Sequence, residues 1–257
     1  MLRLSQRHLN LLETCPPKFK QLYISQDNLI PNPENEERQV WGSQFHLLMQ
    51  QRELGLPIDS ILTTEKELAA SLEALIKEVP ELSTRQSKGQ RAAEHYRTLS
   101  INDYLLSVIY DLVIAQEDKA QILDWKTYLQ PKTKTNLAQN WQTRLYLYVL
   151  AETSDYTPEQ ISMTYWFVKL PKKPQSHTFQ YSKQLHQQTK QDLTALLTNL
   201  DTWLLETSQS IFPHRSQCES KCSYFEDFRD ENLRSDNNSN DLDELTKEID
   251  KIVEIPI

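Results

Sequence analysis

The sequence predicts an α/β fold: a mixed β-sheet flanked by helices in the order αβββαβ, with extra helices at the N-terminus. Three observations predict it. Residues 107–127 (SVIYDLVIAQEDKAQILDWKT) read as two strands rich in Val, Ile, Leu and Tyr around the polar tetrapeptide Gln116-Glu117-Asp118-Lys119. Helical patterns lie on both sides of that hairpin, and a further strand pattern follows the second of them. The chain of 257 residues, 38% hydrophobic and 25% charged, is long enough to bury one substantial core.

Residues 4–14 (LSQRHLNLLET) are expected to be helical, with Ser5 as N-cap and Leu9 and Leu12 on one face. Cys15-Pro16-Pro17 ends that helix, because proline cannot continue a helix interior. Residues 18–24 (KFKQLYI) resume with alternating basic and apolar side chains, and 28–35 form a loop rich in Pro and Asn. A second helix is expected over 36–54, with Trp41, Phe45 and Leu48 as its apolar stripe and His46 beside it. Thr64-Glu65-Lys66-Glu67 reads as a capping box that opens a helix running to about Val79. Residues 83–90 are polar and contain Gly89, so they read as a loop or a frayed helix. Residues 92–99 are the candidate first strand, turning at Asn102-Asp103 into the hairpin.

After Thr127 a polar segment leaves Lys132 and Lys134 exposed. Residues 138–153 (AQNWQTRLYLYVLAET) form a helix on which Gln142 and Tyr146, four apart, share a face. Residues 160–170 and 176–181 read as strands joined by a basic turn, and Ser182 caps a last long helix reaching about Thr207. The expected division is a folded domain over 1–228 and an acidic tail over 229–257. That tail is expected to be flexible, with one short helix on Leu242, Leu245, Ile249 and Ile252.

The formal net charge is −8. Residues 226–257 hold eleven acidic and four basic side chains, so the rest of the chain, with 25 acidic and 24 basic, is nearly neutral. Global acidity therefore does not exclude a polyanionic substrate. No apolar run approaches a membrane span, and MLRLSQRHLN has no apolar signal-peptide core, so a cytoplasmic location without membrane partners is expected. Three glycines, Gly42, Gly55 and Gly89, leave no Gly-rich phosphate loop.

Into the apolar hairpin the sequence places Asp111, Asp124 and Lys126, which no packing requirement would select. Asp124 and Lys126 are two apart and share a face. A turn centred between Glu117 and Asp118 puts Asp111 opposite Asp124, where the two carboxylates repel. A divalent cation between them would turn that repulsion into ligation. The alternative is an Asp124–Lys126 ion pair on a solvated sheet, worth about 0–1 kcal/mol and needing no metal.

The series His46, Asp111, Asp124-Trp125-Lys126, then Gln142 with Tyr146, resembles the motifs of the PD-(D/E)XK nuclease superfamily, whose core is restriction-endonuclease-like. The RecB-type branch, which includes the CRISPR-adaptation nucleases, is the nearest in pattern. LSQRHLNLLETCPPKFKQLYI looks like that branch's opening helix, GSQFH is similar to its G-x-x-x-H motif, ILDWKT to its I-x-D-x-K-T strand, and QTRLY to its Q-x-x-x-Y helix. Val108 stands where the branch usually has glycine, in G-x-x-D, and is expected to narrow the approach of substrate.

The resemblance implies a metal-dependent DNA nuclease, exonuclease-like, acting in repair, recombination or defence. It implies Mg²⁺ or Mn²⁺ held by His46, Asp111, Asp124 and the backbone carbonyl of Trp125, with Asp111, Asp124 and Lys126 catalytic. Gln142 and Tyr146 would contact DNA or buttress Lys126, Tyr146 having ordinary helix packing as its alternative. Two other readings stay open: a catalytically inactive DNA-binding or scaffolding subunit of the same fold, and a nuclease that needs a helicase or other repair or defence partner. Three cysteines, Cys15, Cys218 and Cys222, are too few for a disulfide framework. They match three of the four positions by which iron-sulfur members of the branch hold a cluster, Phe228 standing at the fourth, so an iron-sulfur or zinc remnant is the expectation.

Overall fold

The computed structural model describes residues 1–25, 36–83, 89–128, 132–170, 173–205 and 212–214. Among the described residues a mixed sheet has six strands, β1 (Leu2–Leu4), β2 (Gln90–Ile101), β3 (Tyr104–Ala115), β4 (Ala120–Lys126), β5 (Ile161–Phe167) and β6 (Gln175–Gln180), in the order β1-β3-β4-β5-β6, with β2 paired to the remaining side of β3. The long hairpin of β2 (Gln90–Ile101) and β3 (Tyr104–Ala115) turns through Asn102, whose φ of 50° suits a short polar residue. β3 then pairs antiparallel with β4 (Ala120–Lys126), and Leu112↔Leu123 and Ala115↔Ala120 follow the register read from the Glu117-Asp118 turn. α7 (Lys134–Gln139) and α8 (Trp141–Glu152) cross over to β5 (Ile161–Phe167), parallel to β4, and β6 (Gln175–Gln180) returns antiparallel. The order αβββαβ is therefore observed, within an α/β restriction-endonuclease-like architecture.

Each face of the sheet carries a core. On one, α1 (Gln6–Thr14), α8 and α9 (Lys183–Leu205) bury Leu9, Leu145, Val149 and Leu200 against Tyr104, Leu106, Val108, Tyr110 and Tyr165. On the other, α3 (Glu36–Glu53), α5 (Lys66–Glu78) and α6 (Pro80–Ser83) bury Phe45, Leu48, Leu72, Leu75 and Leu82 against Leu112, Ile114, Leu123 and Trp125. Burying a side chain of this size contributes about 1.5–3 kcal/mol. α9 starts at Ser182, whose Oγ accepts the Leu185 N–H at 3.3 Å.

Several local expectations are corrected. Leu4 does not begin the first helix: it ends β1 (Leu2–Leu4), which pairs parallel with β3 and alternates its leucines into the α8-side core. Pro16 and Pro17 do end α1, but they occupy the first turn of α2 (Pro16–Phe19), where a missing N–H costs nothing. Thr64 closes α4 (Asp59–Thr64), its hydroxyl donating to the Ser60 carbonyl at 3.0 Å, and Glu65 precedes α5, so there is no capping box. Residues 134–137 are helical too, where only a polar exposed segment was expected, and Asn140 interrupts the longer predicted helix by capping α8 through the Gln142 N–H at 2.9 Å. The tail over 229–257 and its expected helix lie outside the described residues.

Candidate active site

Three neighbouring strands bring carboxylates together in one row. The β3–β4 ladder ends at Leu112↔Leu123, one step short of Asp111 and Asp124. Instead of pairing, the Trp125 N–H donates to Asp111 Oδ2 at 2.7 Å. On the other side of β3, the β2 register sets Glu94 opposite Asp111, between the pairs Ala93↔Leu112 and His95↔Tyr110. Glu94 has φ 46°, a left-handed conformation that a glutamate adopts at a cost of about 1–3 kcal/mol. The facing of β3 changes at the same level: Tyr104, Leu106, Val108 and Tyr110 enter the α8-side core, whereas Leu112 and Ile114 enter the α3-side core. A break in the pleat at Glu94 and Asp111 thus frees two carboxylates from regular in-or-out positions.

Glu94 was missed from sequence, although a signal existed. The Asn102-Asp103 turn, used like the Glu117-Asp118 turn, places residue 94 opposite residue 111.

His46 reaches this row from α3. Its Nε2 lies 3.1 Å from the Trp125 carbonyl, so it donates there. Nδ1 lies 3.4 Å from Asp111 and 3.8 Å from Glu94. Burial alone would lower the His46 pKa, but hydrogen bonds to Asp111 and Glu94 and the charges of Asp111 and Asp124 outweigh it, raising it to about 10. Ligand atoms of His46, Glu94 and Asp111 all lie within 4.8 Å of one another. Two hard carboxylates and an imidazole fit Mg²⁺ or Mn²⁺ in donor chemistry. The structure therefore brings His46, Asp111 and the Trp125 carbonyl together with Glu94, while Asp124, expected in the same set, is not among the grouped ligand atoms.

Asp124 faces α8 with Lys126. Its Oδ1 forms an ion pair with Lys126 Nζ at 2.5 Å and has no further hydrogen-bond partner. Its Oδ2 accepts from Gln142 Nε2 at 2.6 Å, and Gln142 Oε1 accepts from Lys126 at 2.8 Å. The Lys126 ammonium also stands 4.9 Å from the Tyr165 ring centroid. Burial raises the Asp124 carboxyl to about 6, Lys126 opposing and Asp111 reinforcing the shift. Asp124 is 2% exposed, so this pair is not the solvated surface bridge considered as the alternative. Tyr146 is buried and packs edge-on against Tyr110 at 5.2 Å. Val108 is 1% exposed and turned into the α8-side core, so its methyls do not narrow the site as expected. Cys15 is buried; Cys218, Cys222 and Phe228 lie outside the described residues.

α3 can come this close to β4 because of Gly42. A Cβ there would meet Thr127 Oγ1 at 2.9 Å, with Thr127 Cβ at 3.7 Å and Cγ2 at 4.0 Å. This β-branched side chain is stiff at χ1, so its hydroxyl does not move aside freely. Gly42→Ala is expected to push α3 outward, lengthen the His46–Trp125 contact and weaken Mn²⁺ binding by roughly tenfold, about 1.4 kcal/mol. Adding Thr127→Ala to the variant should restore binding. Titration calorimetry of the single and double variants checks it, and an unweakened single variant would refute the packing explanation.

Fold and site define a class before any comparison: an α/β protein of restriction-endonuclease-like architecture, carrying the D…D-x-K series on adjoining strands. The family model of the PD-(D/E)XK nuclease superfamily matches residues 3–226, and this chain belongs to that superfamily. It is a nuclease by family. Among solved structures, similarity is found to a Eubacterium rectale protein designated a candidate exonuclease, at 12% identity and TM-score 0.49, covering 84% of this chain and 85% of that one. The protein SSO0001 is similar at 13% identity and TM-score 0.37, covering 87% of this chain and 84% of its own. No curated protein matches the chain. Among the described residues, no helix is long and apolar enough to cross a membrane.

Proposed function

We propose that this protein is a divalent-metal-dependent deoxyribonuclease, exonuclease-like, that hydrolyses phosphodiester bonds in repair, recombination or defence. The observation carrying this reading is the meeting of His46, Asp111 and the Trp125 carbonyl beside the Asp124–Lys126–Gln142 cluster. A bound Mg²⁺ or Mn²⁺ would supply charge for the scissile phosphate and a more acidic water.

The chain's own groups have separable tasks. His46, Glu94 and Asp111 would hold the cation, with the Trp125 carbonyl beside them, while Asp124 is engaged by Lys126 and Gln142. Lys126 presents an ammonium that can orient the attacking water and stabilise charge developing on the phosphate. Gln142 bonds both Lys126 and Asp124 and so acts as a positioning residue. Tyr146 and Tyr165 keep water from the rear of the cluster through their burial.

Purified protein is expected to degrade single-stranded or duplex DNA with Mg²⁺ or Mn²⁺ and to stop when EDTA is added. Products separated on a denaturing gel distinguish stepwise shortening from internal cuts. Absence of cleavage of either substrate with either ion would overturn the reading.

A further inference from the structure

The α3-side face of the sheet continues past the carboxylate row, where Tyr96, Thr98 and Ser100 of β2 and Ile109 of β3 are open to solvent. Tyr96 and Ile109 pair across β2 and β3, two residues beyond Glu94 and Asp111 on their respective strands. They are 46% and 48% exposed, large apolar side chains on a face whose reverse, at Tyr110, is sealed in the core. Thr98 and Ser100 follow Tyr96 at alternate exposed positions. Arg3, which pairs with Leu105 through β1, donates to the Tyr96 hydroxyl at 2.6 Å and lies 5.6 Å from its ring centroid. That contact holds the phenol ring in place and puts a cation at its rim, while nearly half the residue remains accessible.

We infer that this face is a platform for single-stranded DNA, with Tyr96 stacking a base next to the phosphate held at the carboxylate row. The inference deepens the nuclease reading and rests on it. Residues two apart on a strand lie about 7 Å apart, a separation that one unstacked nucleotide can span. An exposed aromatic on a sheet is a base-stacking surface, because every base offers a π-face whatever the sequence. A duplex hides its base faces, so the platform selects a single strand. Arg3 supplies the charge complementary to the backbone and the hydroxyls of Thr98 and Ser100 can contact sugar or phosphate. The platform is continuous with the candidate catalytic groups, which a protein partner's docking site would not require.

The test is fluorescence anisotropy of a fluorescein-labelled oligothymidylate on the full chain in EDTA, beside a duplex of the same length. Tyr96→Ala is expected to weaken single-strand binding roughly tenfold, and Tyr96→Phe, which keeps the ring, to bind within about twofold of the parent. Ile109→Glu, on the neighbouring strand, should weaken it too by placing an anion beneath the backbone. A bromouracil-substituted oligonucleotide, irradiated on the parent protein, should crosslink to Tyr96; this readout needs no variant to fold. Parental affinity in Tyr96→Ala, equal weakening for duplex, or no single-strand binding by the parent would each overturn the platform. The two readings fail separately. DNA cleavage with binding indifferent to Tyr96 removes only the platform, and Tyr96-dependent binding without cleavage removes only the nuclease.

Discussion

Lys126→Gln is expected to lower DNA cleavage by roughly 100- to 1000-fold, the range for removing one preorganised donor to developing charge, while leaving the protein folded. Glutamine can still donate to buried Asp124, which among the described residues otherwise retains Gln142 alone as a hydrogen-bond partner. Lys126→Ala should lose as much activity and, in addition, stability. Breaking a buried ion pair costs about 3–5 kcal/mol when the remaining charge has no alternative. Asp124 has one, because its carboxyl, already raised to about 6 by burial, takes up a proton once the ammonium is gone. The alanine variant should therefore melt lower than the glutamine variant and still fold. Single-turnover cleavage and thermal unfolding on both variants separate the effects. Cleavage by Lys126→Gln within a few-fold of the parent would exclude Lys126 from the chemistry.

The second large effect concerns pH and metal together. His46 has its folded pKa raised from 6.5 to about 10, so its charge stabilises the metal-free fold fully below pH 6.5, and that contribution is lost as pH rises toward 10. Asp124, raised from 3.8 to about 6, has the same sign: the folded protein binds the extra proton, and the contribution is lost as pH rises through about 6. The raised pKa makes an imidazolium the expected counter-ion of Glu94 and Asp111 before a metal binds. A cation must displace that proton, since imidazole ligates only when neutral. Mg²⁺ is thus expected to bind with proton release and to raise the melting temperature more at about pH 8.5 than at about pH 6, His46→Gln abolishing the difference. Calorimetry in buffers of different ionisation enthalpy measures the protons released. An equal melting shift at both pH values would show that His46 is not charged in the metal-free protein.

Much of this was readable from residues. The hairpin register was legible because four polar residues fix the turn, and every ladder pair from Leu112 to Ala115 follows it. Gln142 and Tyr146 were readable as one helix face, but their fates differ. Gln142 reaches Lys126 and Asp124, whereas Tyr146 turns into the core against Tyr110. The β1 strand was not legible, because three residues give too short a period and its pairing partner lies about a hundred positions away in β3. The glycine of GSQFH could be matched to a motif, yet its reason, that a Cβ there would stand 2.9 Å from Thr127 Oγ1, belongs to two elements packed together.

What the sequence determined by itself was the identity of the charged groups, their order, and the strands and helices that carry them. Alternation and turn chemistry are local, so Asp111, Asp124, Lys126 and Gln142 could be set on their elements from spacing alone. Only the tertiary structure decided how they divide. Asp124 pairs with Lys126, while Asp111 leaves the ladder to take the Trp125 N–H and joins His46 and Glu94. That division follows from a pleat break at Glu94 and Asp111, a change of backbone dihedral that a period-two pattern cannot express. At that break α3, seated by Gly42, brings the His46 ring against both carboxylates.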